Sequence, residues 1–224
     1  MKKLIFVLCI AVAIFSCKND TKTISETNSK PLTIAEKIAN AHGFKLWDKV
    51  SEIKFTFNVD RDSVYFERRW IWKPKTNEVI LINKNDTISY IRTQIDSTNM
   101  QADQGFINDK FWLLVPYQLV WDTGTTITEP VKAESPISKT NLNKITLTYS
   151  NDGGYTPGDA YDLFYDDTFL IQEWIYRKVN ATEPTMATTF ENYKMFNGIK
   201  IATEHKKENA NWNLNFTNIE VVLE

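Results

Sequence analysis

Polar and apolar positions change their period along the chain, and the first regular pattern is helical. Over residues 33–42 apolar side chains recur at the spacing of one helix face. Thr33 and Glu36 have the spacing of a capping box, and Gly43 stands where a helix commonly ends. The pattern predicts a short amphipathic helix over 33–42.

From Glu52 onward the period becomes two, which is typical of strands with one buried face. Turn-forming residues separate the alternating segments, and Asn197-Gly198 is the strongest hairpin signal because both residues tolerate positive φ. The sequence predicts about ten strands in an antiparallel meander. The predicted strand segments are 52–59, 64–73, 78–83, 87–93, 144–150, 161–166, 168–180, 185–193, 198–207 and 211–223, with an edge strand within 125–138.

One segment interrupts the strands. Residues 105–119 carry apolar side chains at near-helical intervals, which predicts a second helix that stops near Pro116. Because this helix is strongly apolar, it must cover something or be covered.

A long meander with few helices must hide one face of its sheet, and about ten twisted strands tend to curl. We therefore predict a mainly β (α+β) fold, a curled antiparallel sheet or half-barrel wrapped around two or three helices. Its interior either forms an apolar cavity, with 105–119 as a lid, or is filled by its aromatic side chains. The predicted lining residues are Phe55, Phe57, Trp70, Trp72, Phe111, Leu114, Tyr149, Trp174 and Trp212.

Composition excludes several classes of function. The 224 residues carry 13% aromatic side chains, which excludes long disorder, and a net charge of −2, which argues against nucleic-acid binding through phosphates. Two Cys and two His leave too few residues for a structural zinc site or a His-based triad. We expect neither a metal ion nor a cofactor.

The N-terminus has the pattern of an export signal. Lys2 and Lys3 precede an apolar run over 4–15, and the run ends in Ser16-Cys17, as in a bacterial lipobox. We predict a signal peptide over 1–16, lipidation of Cys17, and a flexible polar tether over 17–30 before a single domain over 31–224. The alternative is ordinary secretion with Cys17 unmodified.

The order of these motifs resembles a family of exported lipoproteins of Bacteroidetes, and more distantly the LolA and LolB lipoprotein-carrier and lipoprotein-localisation proteins. The resemblance rests on the lipobox, WIWKPKT at 70–76, FWLLVP at 111–116, EWIYR at 173–177, YKMFNGIKIATEH at 193–205 and, most distinctively, GGYTPGDAYD at 153–162. It implies a curled sheet around helices, with an apolar interior that accepts acyl chains. It implies no catalytic residues.

The segment around Gly153-Gly154 is the best functional candidate outside the core. Asp152, Asp159 and Asp162 have oxygen ligands that suit a hard cation, although their spacing differs from that of an EF-hand loop. The bland alternative, which we favour, is a shaped turn in which glycines adopt positive φ and aspartates accept from nearby amides. The loop motif comprises Gly153, Gly154, Tyr155, Pro157, Gly158, Asp159 and Asp162.

The predicted function is that of an envelope lipoprotein, anchored by lipid and placed in the outer membrane, that binds a lipid or acylated ligand without catalysis. We expect a monomer. The first alternative is a structural lipoprotein with a filled core that docks an unknown envelope partner through Trp112, Tyr117 or Trp121. The second is an enzyme acting on envelope lipid or glycan, supported only by a surplus of acidic residues.

Overall fold

A computed structural model describes residues 30–224, so the predicted signal peptide, Cys17 and the tether up to residue 29 lie outside the described residues. The first helix, α1, spans Ile34–Ala41. The Glu36 amide donates to Thr33 Oγ1 at 3.2 Å, and the Thr33 amide donates to the Glu36 carboxylate at 2.7 Å. The predicted capping box is thus confirmed, and Gly43, at φ +96°, follows the helix.

The remaining elements are mostly strands. Two short 3-10 helices span Phe44–Lys49 and Lys178–Asn180, and a long helix, α2, spans Met100–Trp121. The strands are β1 (Val50–Arg61), β2 (Val64–Lys73), β3 (Glu78–Ile82), β4 (Thr87–Ile91), β5 (Thr125–Ile127), β6 (Val131–Glu134), β7 (Asn141–Tyr149), β8 (Ala160–Tyr165), β9 (Ile171–Arg177), β10 (Met186–Thr189), β11 (Lys194–Phe196), β12 (Ile199–Ile201), β13 (Glu204–Lys206) and β14 (Trp212–Leu223).

The strands form two six-stranded antiparallel sheets and one hairpin. The first sheet has the order β13-β14-β1-β2-β3-β4, and the second has the order β10-β9-β8-β7-β5, with β6 also paired to β7. In the first sheet β1 and β14 pair along their whole length, from Val50 opposite Leu223 to Arg61 opposite Trp212. The β11–β12 hairpin turns at Asn197 and Gly198, both at positive φ, as the sequence predicts.

The two large sheets meet at one edge, where β10 lies beside β13. The Lys206 amide donates to Thr189 Oγ1 at 3.0 Å, and His205 Nδ1 donates to the Thr189 carbonyl at 3.0 Å. Two residues after Thr189, the Glu191 amide donates to the Glu204 carbonyl at 2.9 Å. The junction makes the two sheets one curved wall that ends at β4 on one side and at β5 on the other.

Helix α2 lies inside this wall and touches both sheets. Phe106 packs edge-on against Trp70 of β2 at 5.5 Å, whereas Trp112 packs against Trp174 of β9 at 4.4 Å between ring centroids. Thirteen of the 22 residues of α2 are buried, so the helix is the centre of the core and the predicted lid over 105–119 is wrong. A helix buried on most sides cannot open without exposing the core.

The predicted stop near Pro116 is also wrong. Pro116 lacks the amide that would donate to the Trp112 carbonyl, and Leu114 departs from helical geometry at φ −130° and ψ 31°. The chain nevertheless resumes the helix and continues to Trp121. Pro116 therefore kinks α2 without ending it, because packing against both sheets holds the helix on either side of the kink.

The predicted fold class is confirmed: antiparallel strands curl as a half-barrel around helices. The count of about ten strands is too low, since the described part contains fourteen. The predicted edge strand within 125–138 is two strands, β5 and β6, the predicted strand over 198–207 is also two, β12 and β13, and β11 lies outside every predicted segment. These strands of three or four residues are too brief for an alternating pattern to stand out.

Candidate functional site

A cleft opens between α2 and the second sheet, beneath the loop over 150–158, which we call the covering loop. Its outer compartment is a cavity of about 400 Å³, within the range of small-ligand sites. Its lining is mixed, and we call it the polar cavity because charged side chains border it. Lys110 and Gln118 of α2, Arg92, Asp122 and residues of the covering loop line this cavity.

The inner compartment is a smaller aromatic cavity of about 160 Å³. Phe111 of α2 lies 4.6 Å from Tyr161 and 5.9 Å from Trp174 between ring centroids, so three rings from three elements form its wall. The two compartments share Ile107, Phe111, Tyr155 and Thr156 as lining residues. They are therefore adjacent parts of one cleft, one polar and one aromatic.

Hydrogen bonds hold the covering loop at its base and at its tip. At the base the Gly158 amide donates to the Ser150 carbonyl at 2.8 Å, and Gly153, Gly154 and Gly158 all have positive φ, which glycine tolerates best. At the tip the Tyr155 hydroxyl donates to Asp103 of α2 at 2.8 Å. This one side chain ties the loop to the helix across the cleft.

Asp103 also holds the arginine of the polar cavity. Its side chain is 1% exposed and accepts from Arg92 Nε at 2.8 Å, in addition to the Tyr155 hydroxyl. Burial and the charge of Asp103 raise the pKa of the nearby Tyr90 hydroxyl above its usual range. The carboxylate of Asp103 thus has two donors before any ligand enters.

Asp122, just after α2, is the second carboxylate of the polar cavity. The Tyr149 hydroxyl donates to it in a short hydrogen bond, and the Gln118 amide, oriented with its nitrogen toward Asp122, donates to its two oxygens at 2.9 and 3.1 Å. Burial, followed by the Asp122 charge, raises the pKa of Tyr149 above its usual range. Tyr149 therefore stays a neutral donor to Asp122.

Lys110 is the buried cation of the polar cavity. It is 9% exposed, and its Nζ lies 5.9 Å from the Trp72 ring and 5.6 Å from the Trp121 ring. Burial lowers its pKa to about 8, against a smaller opposing effect of Asp122. Two indole faces thus support the ammonium from the core side.

The two aspartates of the loop motif accept hydrogen bonds from neighbouring groups of the chain. Asp159 accepts from the Tyr176 hydroxyl and the Val179 amide, each at 2.8 Å, and Asp162 accepts from Arg177 Nε at 3.0 Å and from Thr146. Across residues 30–224 no group of three or more His, Cys, Asp or Glu side chains is placed to hold a metal ion. These contacts support the turn interpretation, with Pro157 and Gly158 just before Asp159.

The predicted cavity residues divide into two sets. Phe111, Tyr149 and Trp174 line the cleft, and Trp70 lines a separate surface groove of about 300 Å³ beside the start of α2. The others fill the core around α2, which corrects their assignment to an open interior, because neighbouring rings occupy the space. These core residues are Phe55, Phe57, Trp72 and Leu114, with Trp212 partly buried against them.

The three aromatic residues predicted to dock a partner are not exposed. Trp112 and Tyr117 are buried, and Trp121 is half-buried against Trp47 at 4.5 Å between ring centroids. They belong to the packing of α2, which corrects that part of the prediction. A partner would have to contact other residues.

Glu173 and Arg177, four apart on β9, do not pair with each other. Glu173 is buried and accepts from the Ile137 and Ser138 amides at 2.7 and 2.9 Å, whereas Arg177 pairs with Asp162. Each therefore stabilises local structure, Glu173 at the turn over 137–138 and Arg177 in the pairing of β9 with β8.

Sequence reasoning missed the polar half of the cleft. Lys110 directly precedes the apolar stretch FWLLV over 111–115, and a cation next to such a stretch was a signal that could have marked it. Arg92 and Asp103 carried no signal of this kind, because the fold joins residues from separate elements.

Comparisons with known proteins give fold neighbours of low identity. No protein-family model matches the sequence, and no curated protein matches it. The structure is similar to a LolA superfamily protein from Nitrosomonas europaea, with a TM-score of 0.47 and 10% identity over 85% of this chain and 94% of that chain. It is similar to an outer membrane lipoprotein-sorting protein domain from Vibrio parahaemolyticus, with a TM-score of 0.46 and 10% identity over 84% of this chain and 90% of that chain.

A DUF1329 family protein from Desulfovibrio piger is also similar, with a TM-score of 0.43 and 9% identity over 84% of this chain and 90% of that chain. These similarities transfer neither a ligand nor an activity. Along residues 30–224 the helices are too short or too polar to cross a membrane. Two of these neighbours carry LolA or lipoprotein-sorting in their names, as do the carrier proteins that the sequence distantly resembles.

Proposed function

We propose that this protein is a lipid-anchored envelope protein, placed in the outer membrane, that binds a lipid or acylated ligand in the cleft beneath the covering loop. The observation that carries the proposal is the adjacency of an aromatic and a polar compartment in one cleft. Such a cleft suits a molecule with one apolar and one polar end. Removal of its apolar part from water, worth about 25 cal/mol per Å², would drive binding.

The size of the aromatic compartment limits what enters it. At about 160 Å³ it offers room for a short apolar segment only, since one water molecule occupies about 30 Å³ of liquid. A longer acyl chain requires the covering loop to move, and its attachment through Tyr155 is the contact that such a movement would break.

We propose that the binding is not accompanied by catalysis. The buried carboxylates beside the cleft are already engaged: Asp103 with Arg92 and Tyr155, and Asp159 with the Tyr176 hydroxyl and the Val179 amide. Asp122 accepts from Tyr149 and Gln118. A general acid or base needs a proton free to move toward a substrate, and these groups are held by fixed donors.

Ligand binding can be tested by blocking the cleft. Ile107 is half-buried and lines both compartments, so Ile107→Trp should fill the passage between them. We expect displacement of an environment-sensitive fluorescent fatty acid to be lost, with the thermal midpoint nearly unchanged. The matched control is Ile82→Trp on β3, where the side chain is 36% exposed. Equal uptake by both variants, or no lipid by mass spectrometry of an organic extract of wild-type protein, would contradict the proposal.

The anchor is tested separately through Cys17. We expect Cys17→Ser to move the protein from the membrane fraction to the soluble fraction, because the acyl groups are the proposed attachment. A Cys9→Ser variant, which changes only the predicted signal peptide, should stay with the membranes. If the Cys17 variant also remains with them, the anchor is wrong while the cleft is unaffected.

A further inference from the structure

Lys110 is a buried cation that lacks a counter-ion. Within residues 30–224 its Nζ makes neither a hydrogen bond nor an ion pair, and it lies over the ring faces of Trp72 and Trp121. A buried ammonium is costly unless it is paired, and two indole faces offset only part of that cost. The ammonium therefore borders the cavity without a carboxylate in direct ion-pair contact, and an anion that enters the cavity would contact it directly.

The acidic side chains around Lys110 are already used or solvated. Asp122 accepts from Tyr149 and Gln118, and Asp103 accepts from Arg92 and Tyr155. The remaining acid of the cavity lining, Asp152, lies on the exposed side of the covering loop, where water screens its charge.

Arg92 adds a second source of donors on the same cavity. Its recorded side-chain hydrogen bond runs from Nε to Asp103, and in the described part of the chain its Nη1 and Nη2 groups make none. The guanidinium lies 5.7 Å from the Phe106 ring, which fixes its plane from the core side. Unused donors of Arg92 and Lys110 thus border one cavity of about 400 Å³.

We propose that the polar cavity binds an anionic oxygen group, a carboxylate or a phosphate, with the Lys110 ammonium as its counter-ion and the free guanidinium nitrogens of Arg92 as further donors. The inference rests on the proposed function and narrows it: the ligand is an amphiphile whose anionic end occupies the polar compartment and whose apolar end enters the aromatic one. Charge-assisted hydrogen bonds of this kind are the strong ones.

The proposal predicts that the affinity for an anion falls as the pH rises through the pKa of Lys110. The Lys110 pKa of about 8 results mainly from burial, with Asp122 and Asp103 raising it and Arg92 lowering it. An anion binds the protonated ammonium, so its affinity is full below pH 8 and falls as the pH rises above 8. Burial raises the pKa of Tyr149 and of Tyr155, so neither hydroxyl titrates in this window.

The experiment compares two probes of equal chain length, dodecanoate and dodecanol, on the full purified protein. Dodecanoate should bind about tenfold to a hundredfold more tightly than dodecanol near neutral pH. Its advantage should shrink above pH 8, a measurement that needs no variant. Lys110→Met should remove the advantage of dodecanoate over dodecanol, while Lys54→Met, at a surface pair with Glu220, should keep it.

A third probe, inorganic phosphate, separates this inference from the proposed function. Equal affinity for dodecanoate and dodecanol in the wild-type protein overturns the anion site and leaves apolar binding intact. Binding of phosphate through Lys110, with neither amphiphile bound, supports the anion site and overturns the apolar function. If none of the three probes binds, both proposals are wrong.

Discussion

At the scale of single residues, Asp109 of α2 joins the helix to the first sheet. Its side chain is 0% exposed and accepts from Arg68 Nε and Nη2 at 2.8 and 2.5 Å, from Trp70 Nε1 at 2.8 Å and from Asn108 at 2.9 Å. Arg68 in turn stacks on Phe66 at 4.9 Å. The carboxylate therefore balances a charge and satisfies a buried indole N–H at once.

Replacing Asp109 by alanine should be strongly destabilising. Asp109→Ala leaves the Arg68 charge and the Trp70 N–H without their acceptor, and breaking a buried pair in this way costs about 3–5 kcal/mol. Urea unfolding measures the change. The control is Asp167→Ala, whose side chain is 89% exposed and pairs with Lys132 on the surface. Similar midpoints for the two variants would contradict this account.

The two histidines should make stability fall in mild acid. Burial lowers the pKa of His42 and of His205 to about 4 from 6.5, so both are neutral when folded. As the pH falls below 6.5, both histidines become protonated in the unfolded chain but stay neutral in the folded chain. The free energy of unfolding should therefore decrease down to about pH 4, by about 3 kcal/mol for each histidine.

His205→Phe isolates one of these contributions. The ring of His205 lies among aromatic rings, 4.4 Å from Phe190 and 5.9 Å from Phe216, so a phenyl group fits the site. The variant should show a flatter dependence of unfolding free energy on pH between 6.5 and 4. Phe190→Leu disturbs the same cluster without a titrating group and should keep the wild-type slope. An unchanged slope in His205→Phe would show that the pKa of His205 is the same in the folded and unfolded chains.

At the scale of elements, the covering loop is the part of the site that we expect to move. Tyr155 is 41% exposed, and its hydroxyl makes the recorded contact with Asp103. Tyr155→Phe should therefore speed amide exchange over residues 150–158 while leaving the melting temperature almost unchanged. Hydrogen-exchange mass spectrometry measures both the loop and the rest of the chain.

Tyr65→Phe provides the matched control for the loop. That hydroxyl is also on an exposed tyrosine, 59% exposed, and bonds to Asn58 and Glu67 on the first sheet. Exchange over 150–158 should stay at the wild-type rate in this variant. Equal acceleration in both would mean that the loop responds to general loosening and is not held by Tyr155.

Local signals in the sequence predicted the elements with strong local chemistry. The Thr33–Glu36 capping box and the Asn197-Gly198 turn depend on neighbours in the chain, and both are confirmed. The predicted first strand is present as β1, but its alternation is lost beyond Phe55, since Thr56 and Asn58 are buried as well. The continuation of α2 through Pro116 depends on two sheets that pack around it, which no local pattern contains. Local preference is a weak guide wherever tertiary packing decides.

The candidate site was predicted in part for the same reason. The aromatic residues Phe111 and Trp174 and the glycine-rich loop stood out by composition, and the structure brings them together. The pairing of Arg92 with Asp103 joins a residue after β4 to one on α2. Such a contact depends on how α2 packs after β4, which no local pattern in the sequence contains.

At the scale of the whole molecule, α2 and the β10–β13 junction connect the two sheets into one folding unit. Phe106 ties α2 to Trp70 of the first sheet, and Trp112 ties it to Trp174 of the second. We expect a single unfolding transition in urea, with far-UV circular dichroism and tryptophan fluorescence following the same curve. Two separated transitions would show that the sheets are stable independently.

The pairing of β1 with β14 has a consequence for how the chain is made. β1 emerges early from the ribosome, yet one side of it has no partner until β14, more than 150 residues later, is complete. The central ladder of the first sheet therefore cannot close during most of synthesis. The sequence predicts an export signal, and an exported chain must stay unfolded until it has crossed a translocation pore. The late pairing of β1 with β14 would help to keep this chain unfolded until then.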